Sequence, residues 1–538
     1  MVRPPMPPSY IFVIDVSYYT VHSGGLQYVT HAIKHVLQLA TEHNEAIPLS
    51  DPRTKVAIIT YDSSIHFYNL KQGLSQPQML CVSDLTEAFV PQGLDLLVNL
   101  HESKQVIDTL LTRLPQMFAQ SQNVHACLGP AVKAAMTVAR HLGGKVLLFT
   151  AQLPSLGVGK LAVRFDVKSL APDGTALSGS DREAQLFKPQ TEFYKNLALE
   201  CSKLQLSVDL FLLTPQYHDV TSLAPLAHLT GGQLYYYPEF QLPRDGNQLI
   251  EDVRHNLIRN TGWEGVMRVR CSKGVKVQAY HGAFFLRSSD LLALPSVDSD
   301  KAFGVQLSLQ ENLTTSYNFI QAALLYTTST SERRIRVLNM CLPTTSNMQD
   351  MFNLADGEAV AALLIKMAID RALQAKISDA REALVNKVVD ILASYRHTLG
   401  TGQATAQLLL PATLTSLPLH ILAMIKHPVL RAYQDVNPDL RAYHMQRLRS
   451  LSSSRTLLAL YPHLYALHTL TDEAPAVLTL SSEKLDRQGA FLLDNGEVLL
   501  LWVGKTIPIE FLQQVFALSS LDGVDPASVS SNVCGTLF

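Results

Sequence analysis

The sequence predicts a multidomain protein with an α/β domain, an all-β domain, an all-α domain and the start of a small α/β domain. The chain has 538 residues, which is too long for one hydrophobic core. As far as about residue 240, short apolar runs alternate with segments of helical period. The period changes to two between about 245 and 343, and helical spacing returns from about residue 350.

The first predicted domain covers residues 1–243. Apolar runs such as IFVID, VAIITY, KVLLFT and SVDLFLLT alternate with amphipathic segments, which is the pattern of a parallel sheet covered by helices on both faces. Gly143 and Gly144 mark the end of one of these helices before KVLLFT. Residues 165–190 are polar and contain Gly and Ser, so we expect a surface loop there.

The remaining domains are predicted from changes in the spacing of apolar residues along the chain. Residues 244–343 are predicted to form a β-sandwich or barrel, because alternating segments such as GVMRVRC and RRIRVLN are separated by turn residues. Residues 344–470 are predicted to be helical, with Asp379 near a helix start, where negative charge suits the dipole. In residues 471–538, Asp494-Asn495-Gly496 predicts a hairpin, but the sheet looks incomplete at Phe538.

Composition narrows the class of protein. The chain is 47% hydrophobic and 17% charged, and it has no uninterrupted apolar run long enough to span a bilayer. Its start, MVRPPMPPSY, lacks the apolar region of a secretory signal, and its six cysteines show no paired spacing, so a reduced cytosolic compartment is expected. The net charge of −2 gives no reason to propose nucleic acid as a partner.

The first predicted strand ends in a possible metal-site motif. Asp15 and Ser17 match the beginning of the Asp-x-Ser-x-Ser motif with which von Willebrand type A domains bind a hard cation through oxygen ligands. The second serine of that motif is Tyr19 here, and a phenol on a rigid ring cannot replace a short hydroxyl beside the ion. We therefore expect no metal at this vestigial site, with Asp15 and Ser17 bonding the next turn or capping the next helix.

Other motifs of enzymes and metal sites fail on spacing. SLGVGKL resembles a phosphate loop but has Pro154 and Leu161 at two of its required positions, so we expect a turn. HExxH and GxSxG motifs are absent, and the histidines are interpreted as core or surface residues rather than zinc ligands. The protein is therefore predicted not to be an enzyme.

Four arginines of the β domain are candidates for a membrane-facing basic surface. Arg334 and Arg336 share one strand face, and Arg268 and Arg270 share a face on a nearby segment. Such a surface could meet anionic lipid or an acidic peptide. The alternative is that these residues are solvated strand faces with ordinary ion pairs.

A second candidate surface lies in YHGAFFLRSSDLLALP. Phe284 and Phe285 should point to opposite faces of a strand, and Arg287 should share the face of Phe285. An exposed aromatic beside an arginine suits a short peptide with one apolar and one acidic anchor. A packed Phe with a snorkelling Arg is the alternative.

The domain order and several extended motifs closely resemble the Sec24 cargo-adaptor family of the COPII vesicle coat. The motifs are YDSSIHFYNLKQGLSQPQMLCVSDL, DLLVNL, GGKVLLF, LPSLGVGKL, TGGQLYYYP, YHGAFFLRSSDLLALP and DKAFGVQLSL. The resemblance covers almost the whole chain. It implies a von Willebrand type A-like trunk, a β-sandwich, a helical domain and a partial gelsolin-like domain.

The resemblance also implies partners and a location. The chain is expected to form a heterodimer with the GTPase-activating COPII coat subunit and to meet the small coat GTPase and the outer coat indirectly. It is expected to lie peripherally on the membrane at endoplasmic reticulum exit sites and COPII vesicles, where it binds the cytosolic tails of membrane cargo and SNAREs. Of the family's cargo contacts we carry over Phe285 and Arg287, and we expect Leu324 and Leu325 to line the same groove.

Two departures from the family pattern qualify the resemblance. The family has a four-cysteine zinc finger before the trunk, and no zinc ligands for it are found here, so no cofactor is expected in this chain. The family's gelsolin-like domain also extends further, so we expect a fragment, an incomplete gene model or a shortened protein. Two other functions remain open: the sister coat subunit that activates the GTPase, and metal-dependent adhesion through the type A domain.

Overall fold

The computed structural model describes residues 5–42, 47–87, 89–91, 96–165, 181–399, 409–432, 436–469, 475–516 and 518–520. The chain divides into two compact units. The first consists of Met1–Met348, Lys366–Ala383 and Pro428–Leu451, and the second of Gln349–Ile365, Leu384–His427 and Ser452–Phe538. The helical segment therefore contributes residues to both units.

The first unit begins with an eight-stranded sheet in the order β4-β3-β2-β1-β6-β7-β8, with β5 paired to β2. Its strands are β1 (Ser9–Asp15), β2 (Lys55–Tyr61), β3 (Ile65–Asn69), β4 (Gln78–Val82), β5 (Val98–Asn99), β6 (Gly144–Thr150), β7 (Leu206–Thr214) and β8 (Leu234–Pro238). The central strands β2-β1-β6-β7-β8 are parallel, whereas β3, β4 and β5 are antiparallel to their neighbours. The parallel α/β prediction is confirmed, and the antiparallel edge was not predicted.

Helices cover both faces of this sheet because its central strands are apolar on both faces. They are α1 (Tyr18–His22), α2 (Gly25–Thr41), α3 (Lys104–Met117), α4 (Leu128–Ala139), α5 (Asp181–Leu186), α6 (Phe193–Lys203), α7 (Val220–His228) and α8 (Leu242–Ile258). In β1, Phe12 belongs to the core on one face, while Ile11 and Val13 belong to the core on the other. Each face therefore needs its own layer of helices.

The expected surface loop at 165–190 is only partly described, because residues 166–180 lie outside the described residues. The part that is described is packed, because Leu186 forms a buried cluster with Phe165 and Tyr217. Helix α5 occupies Asp181–Leu186, and Arg164 donates to the carbonyl oxygens of Gln185 and Lys188 at 3.1 and 2.8 Å. The prediction of a loop was wrong for α5, because polar composition does not show which residues find partners.

The all-β part of the first unit has one five-stranded sheet in the order β11-β12-β9-β14-β15 and one two-stranded sheet, β10-β13. Its strands are β9 (Thr261–Cys271), β10 (Val275–His281), β11 (Phe285–Ser288), β12 (Leu291–Asp298), β13 (Gly304–Leu309), β14 (Tyr317–Thr327) and β15 (Arg333–Pro343). All pairings among them are antiparallel. The core between the sheets is built around Met267, Leu292 and Leu294.

The helical segment consists of α9 (Met348–Asn353), α10 (Gly357–Gln374), α11 (Ile377–Thr398), α12 (Leu417–Lys426), α13 (Pro438–Ser450) and α14 (Ser453–Leu460). The segment in which helical spacing returns, from about residue 350, therefore begins with three separate helices, α9, α10 and α11. Ala380, Leu384 and Val388 are buried along one face of α11. None of the helices in the described ranges combines the length and the apolar character needed to cross a membrane.

The second unit ends in a small α/β fold. Its antiparallel sheet has the order β17-β16-β18-β19, and α15 packs on it. The elements are β16 (His463–Ala466), β17 (Val477–Leu478), β18 (Ala490–Asp494), β19 (Leu499–Val503) and α15 (Ile509–Phe516). The predicted hairpin joins β18 to β19, with Gly496 at φ +78° in the turn.

A network of buried charges lies between the α/β sheet and the five-stranded sheet. Lys145 Nζ on β6 lies 3.2 Å from Asp209 Oδ2 on β7 and 3.2 Å from Asn256 Oδ1 on α8. Arg259, which follows α8, pairs with Asp298 of β12 at 3.0 Å. All four charged side chains are 2% exposed or less, so each depends on its partners for the solvation it loses.

Candidate functional site

The Asp-x-Ser motif lies at the carboxyl end of β1, where the sheet order places β1 beside β6. Asp15 is fully buried, and its Oδ1 accepts the amide of Ser17 at 2.8 Å. Its Oδ2 accepts the amides of Ala151 and Gln152 at 2.9 and 3.1 Å. Burial raises the pKa of the Asp15 carboxyl, and the amide hydrogen bonds oppose this shift. The carboxylate therefore joins the ends of two strands.

Ser17 occupies the N-cap position of α1 without making a side-chain cap bond, and Tyr19 is half-buried in that helix. The expected capping role of Ser17 is thus absent, whereas the expected turn contact of Asp15 is present. Within the described ranges, no group of three or more His, Cys, Asp or Glu side chains is arranged to hold a metal ion.

We expect magnesium to have no effect at this motif. An ion bound only to the native state at a hundred times its Kd would add about 2.7 kcal/mol of stability. The Tm of the wild-type chain should therefore change by less than about 1 °C between EDTA and millimolar Mg²⁺. A rise of several degrees that disappears in Asp15→Asn would restore the metal-site hypothesis.

The predicted peptide site lies on β11, an edge strand of the five-stranded sheet. Phe285 is half-buried and Arg287 is exposed. Phe284 packs against the sandwich core, with ring contacts to Tyr280 and Phe303 at 6.1 and 6.3 Å. The two phenylalanines therefore separate as predicted, with Phe284 in the core.

A register shift changes the expectation for Arg287. Phe285 lies opposite Ala293 and Leu286 opposite Leu292, but Ser288 lies opposite Leu291, so Arg287 is an extra residue in β11. Such a bulge breaks the strict alternation of side chains. The prediction that Arg287 and Phe285 share a face relied on this alternation, so the bulge removes its basis. Leu286, for which the sequence suggested no role, is 43% exposed beside Arg287 because β11 is an edge strand.

Leu324 and Leu325 lie on opposite faces of β14, so they do not both share a surface with Phe285. Leu324 lies opposite Met267 and packs with the sandwich core, whereas Leu325 lies opposite Val266 on the other face. Val266 lies opposite Ala293, which places Leu325 on the face of Phe285, three strands away. Three strand spacings amount to roughly 14 Å. The prediction that Leu324 lines a common groove with Phe285 is therefore wrong. The sequence does not specify which strands become neighbours, so it could not show this.

The four candidate arginines also lie on two opposite faces. Arg268 and Arg270 lie opposite Ala323 and Gln321 of β14. Arg334 and Arg336 lie opposite Tyr326 and Leu324, which point to the other side of the same strand. One flat basic surface containing all four residues is therefore excluded by the register.

Two of these arginines have carboxylate partners. Arg268 Nε donates to Asp290 Oδ2 at 2.6 Å, and this hydrogen bond lowers the pKa of the Asp290 carboxyl. Arg334 Nε donates to Glu332 Oε2 at 3.0 Å. For Arg270 and Arg336, no ion pair is found within the described part of the chain. The alternative interpretation, that these residues form ordinary ion pairs on solvated strand faces, therefore holds for Arg268 on one face and for Arg334 on the other.

One buried carboxylate that the sequence did not single out joins α13 to the α/β sheet. Asp439 Oδ2 accepts the amide of His218 at 2.5 Å, and Oδ1 accepts that of Val220 at 2.8 Å. Burial raises the pKa of Asp439 to about 7, although both hydrogen bonds favour the ionised form. The Asn437-Pro438 pair signals a helix start, but only the fold shows that this start is buried.

Comparison with family models gives four consecutive matches. They are described as the Sec23/Sec24 trunk domain for residues 5–257, the Sec23/Sec24 beta-sandwich domain for 262–345, the Sec23/Sec24 helical domain for 356–458 and the gelsolin repeat for 471–532.

The relatives found by sequence carry consistent names. "Protein transport protein Sec24B" of Homo sapiens is 42% identical over 97% of this chain and 41% of its own length. "Protein transport protein Sec24A" of Mus musculus is 42% identical, over 97% of this chain and 47% of that protein. "Protein transport protein SEC24" of Dictyostelium discoideum is 39% identical, over 98% of this chain and 53% of that protein. The chain thus spans about half the length of these relatives.

The structural comparison agrees with the sequence comparison. The human COPII-coat protein Sec24c superposes with a TM-score of 0.88 and 32% sequence identity. The match covers 97% of this chain and 67% of that one.

Proposed function

Because the chain belongs to the Sec23/Sec24 family of COPII coat proteins, within which its relatives are named Sec24, we propose that it is a non-enzymatic cargo adaptor. It would select cargo for vesicles travelling from the endoplasmic reticulum to the Golgi by binding sorting signals in cytosolic tails. The observation that carries the proposal is 42% identity to proteins named Sec24 over 97% of the chain. It would act in the cytoplasm, peripherally at endoplasmic reticulum exit sites.

The exposed edge strand β11 supports a peptide-binding role. An edge strand offers unpaired backbone groups to which an extended peptide can add. Arg287, at the bulge, is an exposed guanidinium with no ion pair seen among the described residues. We propose that a signal peptide pairs along β11, with Leu286 and Phe285 contacting its apolar residues and Arg287 its carboxylate. Leu325 would be reached only by a longer peptide crossing the sheet face.

Changing Arg287 to Ala should weaken binding of an acidic signal peptide about 10- to 100-fold, because it removes a charge-assisted hydrogen bond. Arg287→Lys should recover only part of the loss, since an ammonium cannot form a bidentate fork with a carboxylate. Fluorescence anisotropy with a labelled cargo-tail peptide measures both affinities.

The matched control is Arg336→Ala, which removes an exposed arginine from β15, at the opposite edge and on the other face of the same sheet. It should leave peptide affinity unchanged. Equal affinity of wild type and Arg287→Ala, with a lowered Tm in that variant, would show that Arg287 serves packing and would remove it from the proposed site.

The trunk sheet offers a surface for the proposed heterodimer with the GTPase-activating coat subunit. Its β8 edge packs against α13, with the rings of Tyr236 and Tyr443 5.6 Å apart. At the other edge, β4 pairs with β3, and within the described ranges no further strand joins it. Met79 of β4 is 46% exposed, which would be a liability in a protein that works alone.

The sister coat subunit is the second candidate, because it shares the family. The relatives above are named Sec24 and not Sec23, which favours the adaptor. We expect this chain alone to leave GTP hydrolysis by the small coat GTPase at its basal rate, measured by phosphate release. Stimulation that disappears when a single exposed arginine is changed to Ala would favour the sister subunit instead.

Contact with anionic membrane remains part of the proposal in a narrower form. A flat bilayer could meet Arg268 and Arg270 or Arg334 and Arg336, but not both pairs. Attraction to a membrane surface amounts to about 1 kcal/mol for each basic residue near it. One face of the sandwich would therefore add little by itself, and further basic residues on the same side would be needed.

A further inference from the structure

Two histidines stand side by side on the outer face of α2. His31 and His35 are four residues apart, which places them on the same face one turn apart. Both side chains are exposed, their ring centroids are 6.4 Å apart and their ring planes differ by 4°. In the described part of the structure, neither ring makes a hydrogen bond. The rings face each other in a parallel arrangement, and both side chains are exposed, so each ring can turn toward a common ligand.

The helix that carries the pair is anchored firmly. His31 and His35 lie in the interior of a 17-residue helix, away from both of its ends. The residues between and beside them, Ala32, Ile33 and Val36, are at most 1% exposed and belong to the core on that face of the sheet. The two Cα atoms are therefore fixed relative to each other before any ligand binds, which reduces the entropy that binding must overcome.

The neighbouring cation does not point between the rings. Lys34 lies between the two histidines in sequence, and its ammonium would repel a metal ion placed beside them. Instead, Lys34 Nζ donates to Thr112 Oγ1 of α3 at 2.8 Å. The ammonium is thus held on the side of α2 that packs against α3.

We propose that His31 and His35 chelate a divalent late transition-metal ion, with water in the remaining coordination positions. A metal 2.0–2.1 Å from a ring nitrogen lies about 3 Å from the ring centre, so two ligating rings have centres within about 6 Å. The observed 6.4 Å is close to that limit, and small side-chain rotations bring the rings into place. Imidazole ligands bind Cu²⁺ more tightly than Ni²⁺ or Zn²⁺, so Cu²⁺ is the most sensitive probe.

This site differs from the trunk motif at Asp15 and is independent of the proposed adaptor function. It goes beyond the sequence interpretation that the histidines are core or surface residues rather than zinc ligands. A pair needs only the spacing of four on a helix, together with exposure of both rings.

Electron paramagnetic resonance and calorimetric titration with Cu²⁺ test the proposal on the full chain at pH 7.5. The wild-type spectrum should show hyperfine coupling to two ring nitrogens at the tightest site. His31→Ala and His35→Ala should each weaken that site at least about tenfold, because a single imidazole loses the chelate. Ala is a good helix former and both positions are exposed, so the metal-free Tm should stay the same in each variant.

The control is His22→Ala, which removes another exposed histidine, whose Nδ1 lies 2.9 Å from the carbonyl oxygen of Tyr18. The tightest Cu²⁺ site should be unaffected by it. The chain has 18 histidines, so weaker background sites are expected in every variant. Unchanged affinity in either helix variant, or an equal loss in His22→Ala, would overturn the assignment.

Discussion

Changing Lys145 to Met should lower the free energy of unfolding of the first unit by about 3–5 kcal/mol, the usual cost of removing one partner from a buried ion pair. Lys145 and Asp209 are 1% and 2% exposed, so water cannot replace the lost ammonium beside the carboxylate. The amide oxygen of Asn256 loses a donor as well. Methionine fills a similar volume, which limits any contribution from a cavity.

The measurement uses the two tryptophans, of which Trp263 belongs to the first unit and Trp502 to the second. A Trp502→Phe background leaves Trp263 fluorescence to follow urea unfolding of the first unit alone. Lys195→Met is the matched control, because Lys195 pairs with Glu192 on the surface, where the side chains are 49% and 64% exposed. Lys195→Met should lower the free energy of unfolding by less than about 1 kcal/mol. Similar losses in both variants would show that the buried network contributes no more than a surface pair.

The second large effect is a dependence of the free energy of unfolding on pH, which arises from Asp439. Its pKa of about 7 in the folded chain lies above the ordinary aspartate value of about 3.9. The native state therefore binds more protons than the unfolded state between these values. The stability that this group contributes is fully present near pH 4 and is lost as the pH rises through 7.

Asn at this position has no proton to bind, so Asp439→Asn should remove this part of the pH dependence. The free energy of unfolding of wild type, relative to that of Asp439→Asn, should fall by about 2–3 kcal/mol between pH 5 and 7.5. Urea curves followed by Trp263 fluorescence at several pH values give this difference directly.

Asn437→Ala is the control, because Asn437 Oδ1 caps the same helix by accepting the amide of Asp439 at 2.9 Å. Removing this cap should cost about 1 kcal/mol at every pH, since no titratable group is changed. Parallel pH curves for wild type and Asp439→Asn would contradict the assignment of the raised pKa to Asp439.

Much of the fold followed from local patterns. Continuous apolar runs predicted the central parallel strands, since a strand with helices on both sides has no polar face, and period two predicted the sandwich strands. The antiparallel strands β3 and β4 were missed, although their residues lie in a motif that carried the family resemblance. Their pairing depends on contacts between β2, β3 and β4, which local periodicity does not encode.

The candidate sites were less predictable, because a site depends on which strands become neighbours. The sequence identified Phe285 and Arg287 as a short motif, but the bulge after Leu286 appears only when β11 is paired with β12. Likewise, the alternation of side chains along a strand correctly placed Arg268 with Arg270, and Arg334 with Arg336. The pairing of β9, β14 and β15 then put these two pairs on opposite faces of the sheet. For His31 and His35, the spacing is visible in the sequence, and their exposure is decided by how α2 packs.

By itself, the sequence determined the class of each domain, the buried strands, the hairpin at Asp494-Asn495-Gly496 and the resemblance to the COPII adaptors, because these depend on residues close together in the chain. Only the tertiary structure decided the register of the sandwich, the burial of Asp439 and the charge network around Lys145. The atoms in these contacts come from distant segments: Lys145 meets Asn256, and Asp439 meets His218. Their free energies depend on the loss of water around both partners, which no single segment of the sequence specifies.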